Sequence, residues 1–145
     1  MADKIDAFRK NYRYFLPITT RWKDNDAYGH INNVTYYSYF DTVANTYLVH
    51  EGGLNIETSP VIGLVIESKC TFKSPLAFPD EIEAGLRIDK LGGSSVVYGI
   101  AIFKKREEKA SAFGHFVHVF VDRENRKPVK MPAGYRSAFE KILAG

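Results

Sequence analysis

The chain reads Asp24-Asn25-Asp26-Ala27-Tyr28-Gly29-His30-Ile31-Asn32-Asn33 directly before a long helical pattern. This stretch places two carboxylates, a glycine, an imidazole and two amides at the start of a helix. Asn33 is predicted to be the N-cap, because its side-chain oxygen can accept a hydrogen bond from a first-turn amide. The other first-turn amides carry the positive end of the helix dipole and can polarise a carbonyl oxygen or stabilise an oxyanion. Such a set of groups is typical of an active site.

The helix is predicted to run from Asn33 to His50. Its apolar residues recur at spacings of three and four, and Gly52-Gly53 follows as a stop signal. These apolar positions are Tyr36, Tyr37, Phe40, Val43, Ala44, Tyr47 and Leu48. Because they cover more than a narrow stripe, we expect other elements to surround this helix on more than one side.

Strand patterns lie on both sides of the helix. Before it, Phe15–Trp22 is predicted to be a strand, with Leu16, Ile18, Thr20 and Trp22 on one face. Pro17 indicates an edge strand, because proline cannot donate a hydrogen bond to a strand ladder. After it, period-two alternation and hairpin turns predict four antiparallel strands, followed by a short helix. These elements cover Leu64–Lys73, Glu81–Asp89, Ser94–Phe103, Ala110–Val121 and Ala133–Leu143. In the first of these strands, Leu64, Ile66, Ser68, Cys70 and Phe72 share the predicted inward face. We expect one α+β domain over residues 1–145, with Met1–Tyr14 as a polar lead-in.

The stretch from Asp24 to Tyr37 resembles the DxD-x-x-GH-x-NN signature of the hotdog-fold acyl-CoA thioesterases, and in particular the 4-hydroxybenzoyl-CoA thioesterase type. Weaker matches follow in the same order along the chain. They are Asp41, Phe72–Leu76, Asp80, Gly92–Ser95 and Asp122–Pro132. The resemblance implies a hotdog fold, in which a curled antiparallel sheet of about five strands wraps a long central helix. It also implies a homodimer or a dimer of dimers, with pockets shaped by two chains.

The resemblance further implies a catalytic role for Asp26, either as the nucleophile or as a general base toward water. It implies that the backbone N–H of Asn33 polarises the thioester carbonyl. The chemistry is reasonable, because a thiolate is a good leaving group and a carboxylate needs no proton removed before it attacks. His30 is a third candidate, which could orient water or the thioester or serve as a hydrogen-bonding scaffold. Asp24 is a secondary candidate and is expected to be a turn or capping residue.

The candidates for substrate binding are Tyr28, Gly29, Tyr36, Tyr37 and Asp41. The two tyrosines of the helix could form either core or pocket wall. Asp41 matches a substrate-contacting position of the hydroxybenzoyl-CoA enzymes, or it is a partly solvated helix residue. Basic groups near the predicted turns could hold a nucleotide phosphate or remain solvated. They are Lys104, Lys105, Arg106, Arg123, Arg126, Lys127 and Lys130.

The composition constrains the function class. With 45% hydrophobic and 26% charged residues, the chain has a globular balance. The formal net charge of +3 is too small to indicate nucleic acid, although it favours an anionic substrate such as an acyl-CoA. Cys70 is the single cysteine, so no internal disulfide is possible, and it is expected in the core. His115 and His118 are three apart in a strand and should face opposite sides, so we expect no metal and no cofactor.

The chain has neither a signal-peptide pattern nor an apolar run near ~18 residues, so we expect a cytoplasmic protein that does not contact a membrane. Two alternatives to an acyl-CoA thioesterase remain. One is a hotdog hydratase or dehydratase acting on acyl thioesters, and the other is a non-catalytic acyl-thioester-binding dimer. Release of free thiol from an acyl-CoA separates the thioesterase from both.

Overall fold

The structure, a computed structural model, describes residues 5–144. Its main elements are β1 (Tyr14–Thr19), α1 (Asn33–His50), β2 (Val61–Phe72), β3 (Glu81–Leu91), β4 (Ser95–Lys104), β5 (Ala112–Asp122) and α2 (Ala133–Lys141). Two single-turn 3-10 helices, Arg9–Asn11 and Trp22–Asp24, flank β1. None of the helices in this part of the chain has the length and apolar character needed to span a membrane.

The five described strands form one antiparallel sheet in the order β1-β3-β4-β5-β2. β1 is therefore an edge strand, as Pro17 predicts, and β2 is the opposite edge. Helix α1 lies against the inner face of the sheet and contacts β2, β3, β4 and β5. The predicted architecture, a long helix wrapped by a curled antiparallel sheet of about five strands, is confirmed.

The main core lies between α1 and the sheet. Phe40, Val43 and Ala44 of α1 are fully buried among aliphatic and aromatic side chains of β3, β4 and β5. On another side, α2 covers α1, where the Tyr47 hydroxyl donates a hydrogen bond to the carbonyl of Ala138. The expected cover from more than one side is confirmed. A further face of α1, with Ser38, Asp41 and Thr42, remains exposed.

The opposite face of the sheet has its own small core, which the sequence did not predict. Tyr12 is buried there against Ala101, Phe103 and Ala110. The Arg9 guanidinium stacks 4.8 Å from the centre of the Phe103 ring. Residues 5–14 are thus more than a polar lead-in, because they cover the outer face of β3 and β4. Met1–Lys4 of the predicted lead-in lie outside the described residues.

The predicted end of the first strand is wrong. β1 stops at Thr19, and Trp22 lies in a 3-10 turn with its side chain 78% exposed. Two hydrogen bonds made by polar side chains end the strand. The Thr20 hydroxyl donates to the carbonyl of Asp80, and the Arg21 N–H donates to the Asp24 carboxylate, which closes the turn. Alternation alone could not reveal these bonds.

The predicted inward face of β2 is also partly wrong. The strand begins at Val61, and a bulge between Val65 and Glu67 shifts the alternation, so Ile66 is 62% exposed. Cys70 is only half-buried, at the edge of the core. The last helix is shorter than predicted and ends at Lys141.

Candidate active site

Asp24 is buried and its carboxylate is held by three donors. The Tyr39 hydroxyl donates at 2.7 Å and the Arg21 N–H at 3.0 Å, while the Arg21 guanidinium lies 3.2 Å away. Burial alone would raise the pKa of Asp24, but these hydrogen bonds and the nearby positive charge lower it instead. Asp24 thus ties the turn to α1.

Asp26 lies at the start of the next turn and is only half-buried. Its Oδ1 accepts hydrogen bonds from the backbone amides of Tyr28 and His30, at 2.9 Å and 3.3 Å. Its own backbone N–H donates to the carbonyl of His30 at 2.8 Å. Gly29 closes this turn at a φ of 83°, where a side chain would be strained. Within residues 5–144, Oδ2 of Asp26 has no hydrogen-bond donor, so it is available to a ligand.

The helix begins at Asn33 as predicted, but the N-cap is Asn32. The Asn32 side chain accepts a hydrogen bond from the Val34 N–H at 3.0 Å. The choice between the two asparagines is made by the backbone, because the Asn32 N–H donates to the carbonyl of Asp24 at 2.9 Å and holds Asn32 outside the helix. Asn33 is then the first helical residue, and its N–H has no acceptor in the part of the chain that the structure describes. This N–H is therefore available to a ligand.

One cleft of about 260 Å³ brings the predicted catalytic residues together. It is lined by Asp26, His30, Ile31, Asn33 and Tyr36 from the motif, and by Phe72, Lys73, Ser74 and Pro75 from the chain after β2. The Ile31 N–H donates to the carbonyl of Leu76 at 2.7 Å and joins the two walls. The second wall was not among the predicted site residues, although Phe72–Leu76 did match the family pattern.

The aromatic wall of this cleft is formed by Tyr36 and Phe72, whose rings meet edge to face at 5.1 Å. Burial, followed by the neighbouring Cys70, raises the pKa of Tyr36 to about 12. The Tyr36 hydroxyl therefore stays protonated at neutral pH and can act as a hydrogen-bond donor.

Three of the predicted substrate residues lie away from this cleft. The Tyr28 side chain is 88% exposed. The Tyr37 ring packs against Phe40, with their centres 6.1 Å apart. Asp41 is eight residues after Asn33, about 12 Å further along the helix axis. Gly29 shapes the turn without lining the cleft.

Asp41 instead lines a groove of about 660 Å³ between α1 and the edge strand β2. Beneath this groove, the Tyr98 hydroxyl lies 3.0 Å from Nδ1 of His118, and both side chains are buried. Burial lowers the pKa of His118 to about 4, so its ring is neutral. His115 lies on the opposite face of β5 beside Glu67, as the spacing predicts. Among residues 5–144, no group of three or more His, Cys, Asp or Glu side chains is placed to hold a metal ion.

Comparison with known proteins agrees with this architecture. Residues 20–139 match the family model of the Thioesterase-like superfamily. The solved PA5185 protein of Pseudomonas aeruginosa strain PAO1 is 50% identical, with a TM-score of 0.95, over 97% of this chain and 98% of that one. PA2801, a putative thioesterase of Pseudomonas aeruginosa, is 26% identical, with a TM-score of 0.80, over 86% and 95% of the chains. The gentisyl-coenzyme A thioesterase BH1999 is 23% identical, with a TM-score of 0.77, over 87% and 99%. These similarities confirm the predicted hotdog fold.

Proposed function

The chain belongs to the Thioesterase-like superfamily, and on this premise we propose that it is an acyl-CoA thioesterase, which hydrolyses an acyl thioester to the free acid and coenzyme A. One observation carries the proposal. Asp26 and the first amide of α1 line the same cleft, so a carboxylate and a carbonyl-polarising donor can act on one thioester.

In this proposal the thioester oxygen accepts a hydrogen bond from the Asn33 N–H at the positive end of the α1 dipole. Asp26 then attacks the carbonyl carbon through Oδ2, or it removes a proton from the attacking water. In the first route the C–S bond breaks and leaves a mixed anhydride on Asp26, which water then hydrolyses to the free acid and the Asp26 carboxylate. In the second route water adds directly to the carbonyl carbon and the C–S bond breaks as the tetrahedral intermediate collapses. In both routes the proton released by the water passes to the departing coenzyme A thiolate. His30 lines the cleft, and its backbone groups hold Asp26 on both sides, so we assign it to orienting the carboxylate and the thioester.

A second chain is part of this proposal, because Asp41 lies in a different groove from Asp26. We propose that a homodimer or a dimer of dimers brings the groove of one protomer to the Asp26 cleft of its partner, where Tyr28 and Asp41 contact the acyl group. β2 supports such an assembly: it is a twelve-residue edge strand with Val65 and Ile66 exposed. Long edge strands with exposed apolar residues favour pairing with another chain.

The first experiment is hydrolysis of a panel of acyl-CoA substrates, with free thiol as the readout. We expect thiol release from at least one acyl-CoA. Loss or gain of a double bond without thiol release would indicate the hydratase or dehydratase instead. Saturable binding without any turnover would indicate the non-catalytic module.

The second experiment replaces Asp26 by Asn. This change keeps the shape and one acceptor but removes the negative charge, so kcat should fall on the order of 10²-fold or more. Substrate affinity and melting temperature should change little. Asp24→Asn is the matched control, and its folded fraction should keep most of kcat. A near-normal kcat in Asp26→Asn would show that another group performs the chemistry.

A further inference from the structure

A second cleft, of about 490 Å³, opens beside the Asp26 cleft. Lys73, Ser74 and Pro75 line both, so they form a shared wall. Lys104 and Lys109 also line the second cleft, together with the hydroxyl-bearing Ser111. We call it the lysine cleft. Three ammonium groups and two hydroxyl groups thus gather directly beside the place where the thioester would react.

Two acidic residues, Asp6 and Glu107, also line the lysine cleft. The Asp6 carboxylate lies 3.6 Å from Nζ of Lys73 and 3.6 Å from Nζ of Lys109. Lys104 lies 3.8 Å from the Asp80 carboxylate at the rim. The ion pairs of Lys104 and Lys109 are longer than the ~2.7–2.9 Å of a charge-assisted hydrogen bond. Because these two lysines are about half exposed or more, a stronger anion can compete for them.

Three arginines elsewhere in the chain are engaged in building the fold. The Arg123 guanidinium donates to the backbone carbonyls of Ser59 and Ile56, each at 2.6 Å. Arg126 donates to the carbonyl of Arg123 at 3.0 Å, and Arg136 donates to the carbonyl of Gly92 at 2.9 Å. These donors are directed at backbone oxygens, so this end of the molecule is the poorer site for a phosphate.

We propose that the lysine cleft binds the phosphate groups of coenzyme A while the thioester lies against Asp26, an inference that rests on the proposed function. The ligand chemistry is a polyanion joined by an uncharged arm to a thioester. Coenzyme A carries a pyrophosphate and a 3′-phosphate, whereas an acyl-carrier protein presents only one phosphodiester. Three lysines around one cleft match the coenzyme. Asp6 holds Lys73 and Lys109 together until the phosphates arrive.

The test compares two double variants with two substrates that share one acyl group. Lys104→Ala/Lys109→Ala removes two charges of the lysine cleft, and Lys127→Ala/Lys130→Ala removes two charges elsewhere. We expect the first variant to raise KM for the acyl-CoA by about tenfold or more. KM for the acyl-N-acetylcysteamine thioester, which has no phosphate, should stay unchanged. In the wild type, added salt should raise KM for the acyl-CoA only, and the first variant should lose this dependence.

Binding of adenosine 3′,5′-bisphosphate, measured by calorimetry, tests the lysine cleft without any turnover. The wild type and Lys127→Ala/Lys130→Ala should bind it equally, and Lys104→Ala/Lys109→Ala should bind it about tenfold more weakly or worse. If that variant bound the bisphosphate and the acyl-CoA like the wild type, the proposed phosphate site would be wrong, even if the protein still hydrolysed the thioester. If the protein hydrolysed no thioester but its binding of the bisphosphate still depended on Lys104 and Lys109, the proposed thioesterase function would be wrong. The lysine cleft would then still be a phosphate-binding site.

Discussion

At the residue scale, two aspartates that are two positions apart have different environments. Asp24 points inward and is held by Tyr39 and Arg21, whereas Asp26 is held through one oxygen only and faces a cleft. A buried carboxylate with three donors is suited to holding a loop, because its charge is already satisfied. A carboxylate with a free oxygen beside a helix N-terminus is suited to chemistry.

Replacing Asp24 by Asn should lower stability rather than kcat. The variant weakens charge-assisted hydrogen bonds, so the free energy of unfolding at pH 7 should fall by about 1–3 kcal/mol. Because folding lowers the pKa of Asp24, the ionised carboxylate stabilises the protein above its unfolded pKa and loses this effect as the pH falls through the folded value. The difference between wild type and variant, measured by denaturant titration, should therefore shrink below pH 4. A constant difference down to pH 2 would contradict this.

His118 should make stability depend on pH in a higher range. Burial lowers its pKa from 6.5 to about 4, so the unfolded chain binds a proton that the folded chain does not. The contribution of neutral His118 to the free energy of unfolding is fully present above pH 6.5. It is lost as the pH falls toward 4, which lowers the free energy of unfolding by about 3 kcal/mol. Denaturant titrations at pH 7 and pH 4.5 should show a much smaller loss for His118→Gln. His115→Gln is the control, and a similar loss in both variants would remove His118 as the cause.

At the element scale, the pairing of β2 with β5 depends on Gly114. A Cβ at this position would collide with the carbonyl oxygen of Lys69 and lie 2.7 Å from its carbonyl carbon. Both atoms are backbone, so they cannot move aside without distorting the strand. Lys69 belongs to the strand that carries the free edge, and Phe72 at its end forms part of the cleft wall.

Gly114→Ala should therefore lower the free energy of unfolding by about 3 kcal/mol or more. Gly93→Ala is the matched control, because a Cβ there meets no atom within 4 Å. Thermal melting of both variants checks the expectation. A melting temperature for Gly114→Ala within a few degrees of the wild type would show that the edge strand shifts freely.

At the scale of the whole molecule, activity should depend on assembly. Ile66 is 62% exposed on the free edge strand β2, and a lysine there would oppose edge-to-edge pairing. Ile66→Lys should sediment as a monomer and lose most of kcat, while its circular dichroism stays native. Leu143→Lys changes another exposed apolar residue, which bridges to Ile88 of β3 and does not lie on β2, and this variant should remain assembled and active. A wild type that is monomeric and fully active at assay concentration would rule out the shared site.

The sequence by itself determined the elements and the motif. The spacing of apolar residues in Asn33–His50, the alternation in β3 and the turns that bound β4 and β5 are local signals, and the structure confirms these elements. Asp26 and the helix start are also close for a local reason, because Asn33 is only seven positions after Asp26 in the chain. Local polarity and chain geometry are sufficient for such features.

Only the tertiary structure decided which groups share a surface. The burial of Asp24 depends on Tyr39, and the N-cap falls on Asn32 because the carbonyl of Asp24 receives its N–H. The lysine cleft joins Asp6, Lys73, Lys104 and Lys109, which span more than a hundred positions of the chain. The physical reason is that strand pairing and packing set these distances, and both depend on partners that are remote in sequence.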